Sequence, residues 1–587
     1  MNIFRQIVFG LLKPYPELPF VHGLVRSRLD AQAMHMSVKI VELVFDTHPA
    51  AHKLARACVI FLGDNEAERV LKKGFHLVIE ERMRFIALRA DPPSAYGFDA
   101  DGIIPPGDHP LDGHARKALG DDKALDSTAP FKPGLSVRAI HLFQVVIRSI
   151  LFVTDAVSLF IRFGARDPKR QSFRVGTPHA INQNNWGAMR HALENLGMWT
   201  DNALVTVLDR PNLTPPPPGA PPCIDLETLP VDRRRWWKEV ISPGLRLIGV
   251  SLRTAFVNAG DPLSVQLSLE AVKIARSALP IWRLAHNLDL GAYLDAEEYT
   301  VRQGLKSIIL GKQGTRMVRW PHSQMDSQGV ALSYMSYHLF LSGGPYVSRI
   351  SSATRSPRCE DGFVGLYRND RYIISNQTID PSYQRAVTEH RDKGGKLLAY
   401  FGASAEPHIA PIFRASLYAA LRQVAKRGDW MLVIKTKGHK PYGMYSGFLA
   451  GHSVFDDLLS TGRVILIDYS QPFVEPCPAG WLIDNMDIGV GTGSVQIEAL
   501  TQGKPTLSYM PVTDESELNR TLLDHALLHE TLEGFEAALS GLLDDPCHPG
   551  IPYDWFREQF DPFGDDQALS RIARLLWGDR AAAENAP

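Results

Sequence analysis

The residues best suited to chemistry form one string near the end of the chain: Asp487-Ile-Gly-Val-Gly-Thr-Gly-Ser494-Val-Gln-Ile-Glu498-Ala-Leu-Thr-Gln-Gly503-Lys-Pro505. Gly491 and Gly493 let the backbone turn tightly and approach a ligand closely. Ser494 stands at the expected N-cap of the next helix. Free N–H groups and the positive end of the helix dipole point out of such a turn, which suits a phosphate. Glu498 lies one turn into the helix, where its carboxylate can accept both hydroxyls of a ribose. The alternative is a β-turn-α unit whose Gly and Ser serve packing alone.

Three other clusters carry reactive groups. Lys435-Thr-Lys437-Gly-His439-Lys440 closes a strong apolar run and sets three cations beside a histidine. Cations there can neutralise a departing diphosphate; the alternative is a solvated basic turn. His322, in Trp320-Pro-His322-Ser-Gln, can take a proton from a hydroxyl or steady a phosphate, or serve as a hydrogen-bonded structural histidine. Asp46, in Asp46-Thr-His48-Pro49, closes the run VKIVELVFD (38–46) and can act as an acceptor-side base, or Asp46 or Thr47 can cap a helix.

The 487–505 string resembles the donor-site motif of GT-B glycosyltransferases, in which a strand, a Gly/Ser/Thr loop and a helix opening near "EAL" lead to "GKP". The resemblance implies that Glu498 holds the nucleotide ribose and that Thr492, Gly493 and Ser494 contact the diphosphate. The 435–440 segment is similar to the cationic segment of polysaccharide-type GT-B enzymes and of teichoic-acid glycerophosphotransferases, which assigns Lys435 and Lys437 to the diphosphate and His439 to the reacting centre. His322 matches a "q-H-G" segment, with Ser323 in place of the glycine. Gly343-Gly344 matches the stretch that follows, with His338 where an acid is expected. FDPFGDDQALSRIARLL (560–576) resembles the family's closing helix. The likeness covers roughly residues 300–578.

The elements that position these residues follow from the hydrophobic pattern. KLLAYFG (396–402), WMLVIKTK (430–437), RVILID (463–468), MDIGVG (486–491) and KPTLSYM (504–510) read as strands. Helical patterns at 411–426, 445–459, 495–503, 516–529 and 532–543 separate or follow them. This β-α alternation predicts a doubly wound parallel sheet, with ligands beyond the carboxyl ends of the strands. Upstream, 38–46, 203–208, 318–322 and 337–343 read as strands or strand ends, and 182–198 and 262–279 as helices.

The expected fold class is α/β: two Rossmann-like domains facing a cleft (GT-B), with helical insertions in the N-terminal half. The expected domains are 1–385, with an insertion at about 91–175, then 386–560, with 561–587 crossing back to the first. Residues 91–133 and 211–222 read as loops, the latter extended by its prolines. Val137–Phe163 is rich in Ile, Leu, Val and Phe but interrupted by His141, Arg148, Asp155 and Arg162, spaced seven apart on one helix face. It reads as a buried or interdomain helix, or as one lying on a membrane surface.

The 587 residues exceed a single core. The composition is globular, 45% hydrophobic and 22% charged, and the net charge of −1 argues against a dedicated nucleic-acid binder. Cys58, Cys223, Cys359, Cys477 and Cys547 are too scattered for a zinc site or disulfide framework. H-E-x-x-H is lacking, and Asp99-Ala-Asp101 lies in a Pro/Gly-rich stretch with no strand before it. No metal or cofactor is expected. Met1–Leu12 lacks the features of a signal peptide, so a cytoplasmic protein is expected; the membrane-surface alternative for 137–163 would place it at the inner face of the cell membrane. The resemblance implies transfer of a sugar from a nucleotide-sugar to a polysaccharide or glycolipid acceptor. The alternatives are a UDP-GlcNAc 2-epimerase-like enzyme, a CDP-glycerol-type glycerophosphotransferase, or an inactive scaffold.

Overall fold

The computed structural model describes residues 28–90, 135–165, 170–178, 190–200, 203–208, 221–226, 228–296, 300–321, 333–376, 379–402, 410–470, 475–511, 516–546 and 550–577. The described chain opens with helices α1 (Arg28–Thr47), α2 (Pro49–Leu62), α3 (Ala67–Ala90) and α4 (Leu135–Phe163). The expected strand at 38–46 is therefore corrected to helix. Its β-branched run is misleading, because burial at Ala33, Ser37, Val41, Val44 and Phe45 recurs at helical spacing while Lys39, Leu43 and Asp46 are exposed. His48 begins α2, its ring accepting the Ala50 N–H at 3.3 Å with Pro49 at the first helical position.

Helices α5 (Ser242–Val257), α6 (Pro262–Asn287) and α7 (Val301–Gly311) complete this helical layer. Asp261 caps α6, accepting the N–H groups of Leu263 and Ser264 at 3.2 and 3.0 Å. Nearly every side chain of α6 is buried, and α2, α3, α4, α5 and α7 all pack on it.

Two parallel sheets follow the same plan. The first holds β1 (Gln171–Thr177), β2 (Leu204–Leu208), β3 (Cys223–Asp225), β4 (Leu288–Asp295), β5 (Arg316–Arg319), β6 (Leu339–Ser342) and β7 (Glu360–Phe363), in the order β3-β2-β1-β4-β5-β6-β7. The second holds β8 (Lys396–Gly402), β9 (Trp430–Thr436), β10 (Val464–Leu466), β11 (Ile488–Val490), β12 (Thr506–Tyr509) and β13 (Leu528–His529), in the order β10-β9-β8-β11-β12-β13. Counted from its own first strand, each sheet begins 3-2-1-4-5-6, the Rossmann order. Winding reverses between β1 and β4 in one sheet and between β8 and β11 in the other. A ligand crevice is expected outside the carboxyl ends at those points.

Local chemistry fixes the second reversal. The Asp487 carboxylate accepts the Leu397 N–H at 2.7 Å and pairs with Arg391 at 3.0 Å, seating β11 beside β8. The amide of Gln496 donates to the carbonyls of Thr506 and Leu527 at 3.0 and 3.1 Å, tying the next helix to the far strands.

The chain ends by returning to the first sheet. Helix α8 (Ser494–Thr501) packs on α9 (Tyr553–Phe560), which also packs on helix Pro345–Ser351. The Tyr346 ring lies 4.9 Å from that of Phe560, and Gly344 is required there because a Cβ would collide with the Gln559 carbonyl. Helix α10 (Ala568–Trp577) shares one core with Leu339, Leu341 and Val364, and Arg316 donates to the Leu575 carbonyl at 2.7 Å.

Asp370 accepts the Leu569 N–H at 3.3 Å near the start of α10. Burial, with Asp566 and Asp561 nearby, pushes its carboxyl up to about 7 from 3.8. A raised acid favours the folded state while protonated. The native state therefore loses stability as pH rises from about 4 to about 7, by a few kcal/mol at most. Asp370→Asn keeps the acceptor and removes the titration. Its melting temperature is expected to gain on the wild type across that window and not below it.

Candidate functional site

The turn after β11 carries the glycines. The Gly491 N–H donates to the Leu507 carbonyl at 2.9 Å, and a Cβ at 491 would lie 2.9 Å from that of Phe401 on β8. Gly493 has φ 71° and ψ −142°, a conformation essentially restricted to glycine. It is the N-cap of α8, which corrects the expected N-cap: Ser494 is the first helical residue. No side chain caps α8, so the N–H groups at its start lack the usual side-chain acceptor. Thr492 and Ser494 are half-buried and Gly493 is exposed at the tip. The facing segment, 403–409, lies outside the described residues.

Glu498 sits on the first turns of α8 and is 6% exposed. Its carboxyl is held above the usual carboxylate range by burial, which Arg368 opposes. The Arg368 guanidinium, 3.8 Å away, is its one ion-pair partner among the described residues. Arg368 belongs to the segment that follows β7 of the first sheet, so the pair bridges the two α/β units. Asn369 reinforces it, donating to Thr501 Oγ1 at 3.4 Å. Three polar atoms here are buried without a hydrogen-bond partner: Arg368 Nε, Asn369 Oδ1 and Gln502 Nε2. Buried polar atoms are normally satisfied, so such a cluster marks a place where a ligand or water belongs. A carboxylate, a cation and spare donors converging on one turn can bind a polyhydroxylated, anionic molecule.

The basic segment is arranged differently from the expectation. Lys435, the penultimate residue of β9, is buried and pairs with Glu475 at 3.0 Å and with the Tyr469 hydroxyl. Its charge is already balanced inside the protein, which corrects its assignment as an open cation. Lys435→Met leaves Glu475 without its counter-ion and is expected to cost about 1–3 kcal/mol in denaturant unfolding. Lys435→Met with Glu475→Gln should recover most of that. Lys437 is exposed in the turn. His439 opens helix His439–Leu449 behind Gly438, at φ 95°, and its side chain lies outside the described residues.

His322 also lies outside the described residues. Trp320, two positions before it, is buried with its ring 5.4 Å from and edge-on to Tyr367, the neighbour of Arg368. His338 is structural: its Nδ1 accepts the Met317 N–H at 2.9 Å. Asp46 is exposed on the last turn of α1 and not at a strand end, which corrects its reading as a strand-end base. Arg368 escaped the sequence reading because Tyr-Arg-Asn has no motif and its partner is far away in the chain. Among the described residues no group of His, Cys, Asp or Glu is arranged to hold a metal ion.

No family model and no curated protein matches the sequence. Solved structures do match. One is the UDP-GlcNAc 2-epimerase from Neisseria meningitidis bound to UDP-GlcNAc, with 11% identity, TM-score 0.38, and 70% of this chain and 100% of that one covered. Another is the wall teichoic acid polymerase TagF, with 12% identity, TM-score 0.40, and 76% and 98% covered. A third is an O-GlcNAc transferase from Thermobaculum terrenum, with 13% identity, TM-score 0.31, and 95% and 100% covered. At such identities and TM-scores each likeness is a distant one.

Proposed function

We propose that this chain is a glycosyltransferase that moves a sugar from a nucleotide-sugar to a polysaccharide or glycolipid acceptor, without a metal, in the cytoplasm. One observation carries the reading. The buried Glu498 carboxylate lies one helical turn beyond the Gly491–Gly493 turn, at the winding reversal of a Rossmann-ordered sheet, and meets Arg368 from the other unit. In this reading Thr492, Gly493 and Ser494 take the diphosphate and Glu498 takes the ribose hydroxyls. Arg368 and Lys437 supply positive charge as the nucleoside diphosphate departs. His322 is the acceptor-side base, and His439 a second candidate at the reacting centre.

The test is thermal-shift screening with UDP, GDP, CMP and their sugars, followed by product analysis. A specific ligand at a hundredfold excess over its dissociation constant stabilises by about 2.7 kcal/mol. Acceptor-dependent release of a nucleoside diphosphate, with the sugar found on the acceptor, supports the reading. Epimerisation of UDP-GlcNAc without acceptor would instead make the chain an epimerase. Release of CMP with transfer of glycerol phosphate would make it a glycerophosphotransferase. Nucleotide binding without turnover would leave a scaffold.

A further inference from the structure

Helix α4 packs through Val145, Phe152 and Ala156, and buries polar residues beside them while leaving apolar ones outside. Its polar residues His141, Gln144 and Ser149 are buried, and Asp155 pairs with Arg276 of α6 at 2.7 Å. Its opposite face exposes Phe143, Ile150, Val157 and Ile161, the last two borders of a shallow apolar depression. Ile150 is 58% and Ile161 67% exposed. An exposed apolar stripe of this extent marks a surface that another phase covers.

The neighbouring helical segment 233–257, which includes α5, continues this surface. It runs antiparallel to α4: the Trp236 indole donates to the Ala156 carbonyl at 3.0 Å, and Phe152 packs on Gly244. Its outer side exposes Trp237, Leu245, Phe256 at 56% and Val257 at 74%. Arg233, Arg234, Lys238, Arg246 and Arg253 are not buried and lie among them. Asp155 and Glu239 are the only acids on the two segments. Asp155 is engaged as above, and Glu239 is paired with Arg235 at 3.2 Å and His286 at 3.1 Å. The outer face is thus apolar, aromatic and positively charged.

We propose that the outer face of α4 and segment 233–257 is a peripheral docking surface for a bilayer containing anionic lipid. Aromatic and aliphatic side chains enter the headgroup boundary, and arginine and lysine meet the lipid phosphates. Both segments are long and apolar enough to cross a membrane. Each nevertheless has one face committed to α6, so they lie on the bilayer and do not span it. The surface does not depend on the nucleotide reading, and either can fail without the other.

The test is flotation of the full chain with vesicles of phosphatidylcholine, alone or mixed equally with phosphatidylglycerol. The wild type is expected to float with the mixed vesicles, less with the neutral ones, and less as salt is raised. Arg246→Glu with Arg253→Glu is expected to reduce binding to the mixed vesicles about tenfold or more. Phe256→Ser with Val257→Ser keeps the charge and is expected to lose binding to both. All four side chains are exposed, and unchanged melting curves establish that the variants fold. Failure of the wild type to float, or equal flotation of all three proteins, overturns the proposal. So does a dimer in light scattering that the same substitutions dissociate, which would assign the face to a second copy.

Discussion

Glu498→Gln is expected to weaken binding of the cognate nucleoside diphosphate by about ten- to a hundredfold while leaving the melting temperature of the free protein little changed. Hydrogen bonds to a charged acceptor contribute about 1.5–3 kcal/mol each, and tenfold in affinity is about 1.4 kcal/mol. The amide has the shape of the carboxylate but accepts more weakly. In the free protein the substitution removes a buried charge and also leaves Arg368 without its counter-ion, 3.8 Å away, and these effects oppose one another. The decisive comparison uses a 2′-deoxynucleotide. Loss of the hydroxyl should cost the wild type affinity and cost the variant little, because the two changes remove one interaction. Burial holds the Glu498 carboxyl above the usual range, so wild-type affinity should fall with decreasing pH before an ordinary glutamate would protonate, and the variant should not follow. Unchanged affinity in the variant would remove the ribose from this site.

Gly493→Ala should cost both stability and nucleotide affinity. At φ 71° and ψ −142° an alanine is strained by about 1–3 kcal/mol. A Cβ at 493 meets no neighbour within 4 Å, so the penalty is conformational and not a clash. The turn can keep its shape and hold the strain, or rotate and swing the first N–H groups of α8 away from the phosphate. Either course predicts at least tenfold weaker binding by calorimetry together with a lower unfolding midpoint. Gly462→Ala is the control. Gly462 also has a positive φ, 68°, and precedes the amino end of β10, away from the carboxyl ends where ligands bind. It should lower stability and leave affinity intact. If both variants lose stability and neither loses affinity, the 491–494 turn does not hold the phosphate.

The legibility of the chain follows its contact distances. Five strands of the second sheet could be read from the sequence because the central ones are buried on both faces and so read as continuous apolar runs, whereas the short edge strand β13 was hidden in the expected helix at 516–529, which ends at Asp524. KLLAYFG became β8 with the expected bounds, and the glycine turn could be placed at the end of β11. Local pattern failed at 38–46, where valines and isoleucines suggest a strand although burial recurs every three to four residues. It also failed at Ser494, because a cap is decided by the φ of its neighbour.

By itself, the sequence determined five of the six strands of the second sheet, the glycines of the turn after β11 and the presence of a long apolar helix at 137–163, all properties of contacts within a few residues. Tertiary structure alone decided which charges are already spent. Lys435 finds Glu475 forty residues later, and Glu498 finds Arg368 across the two sheets. It also turned His141 and Asp155 of α4 toward α6, where Asp155 pairs with Arg276, and left Ile150 and Ile161 facing outward, since periodicity reveals that a helix has two faces but only its packing partners choose which one meets water.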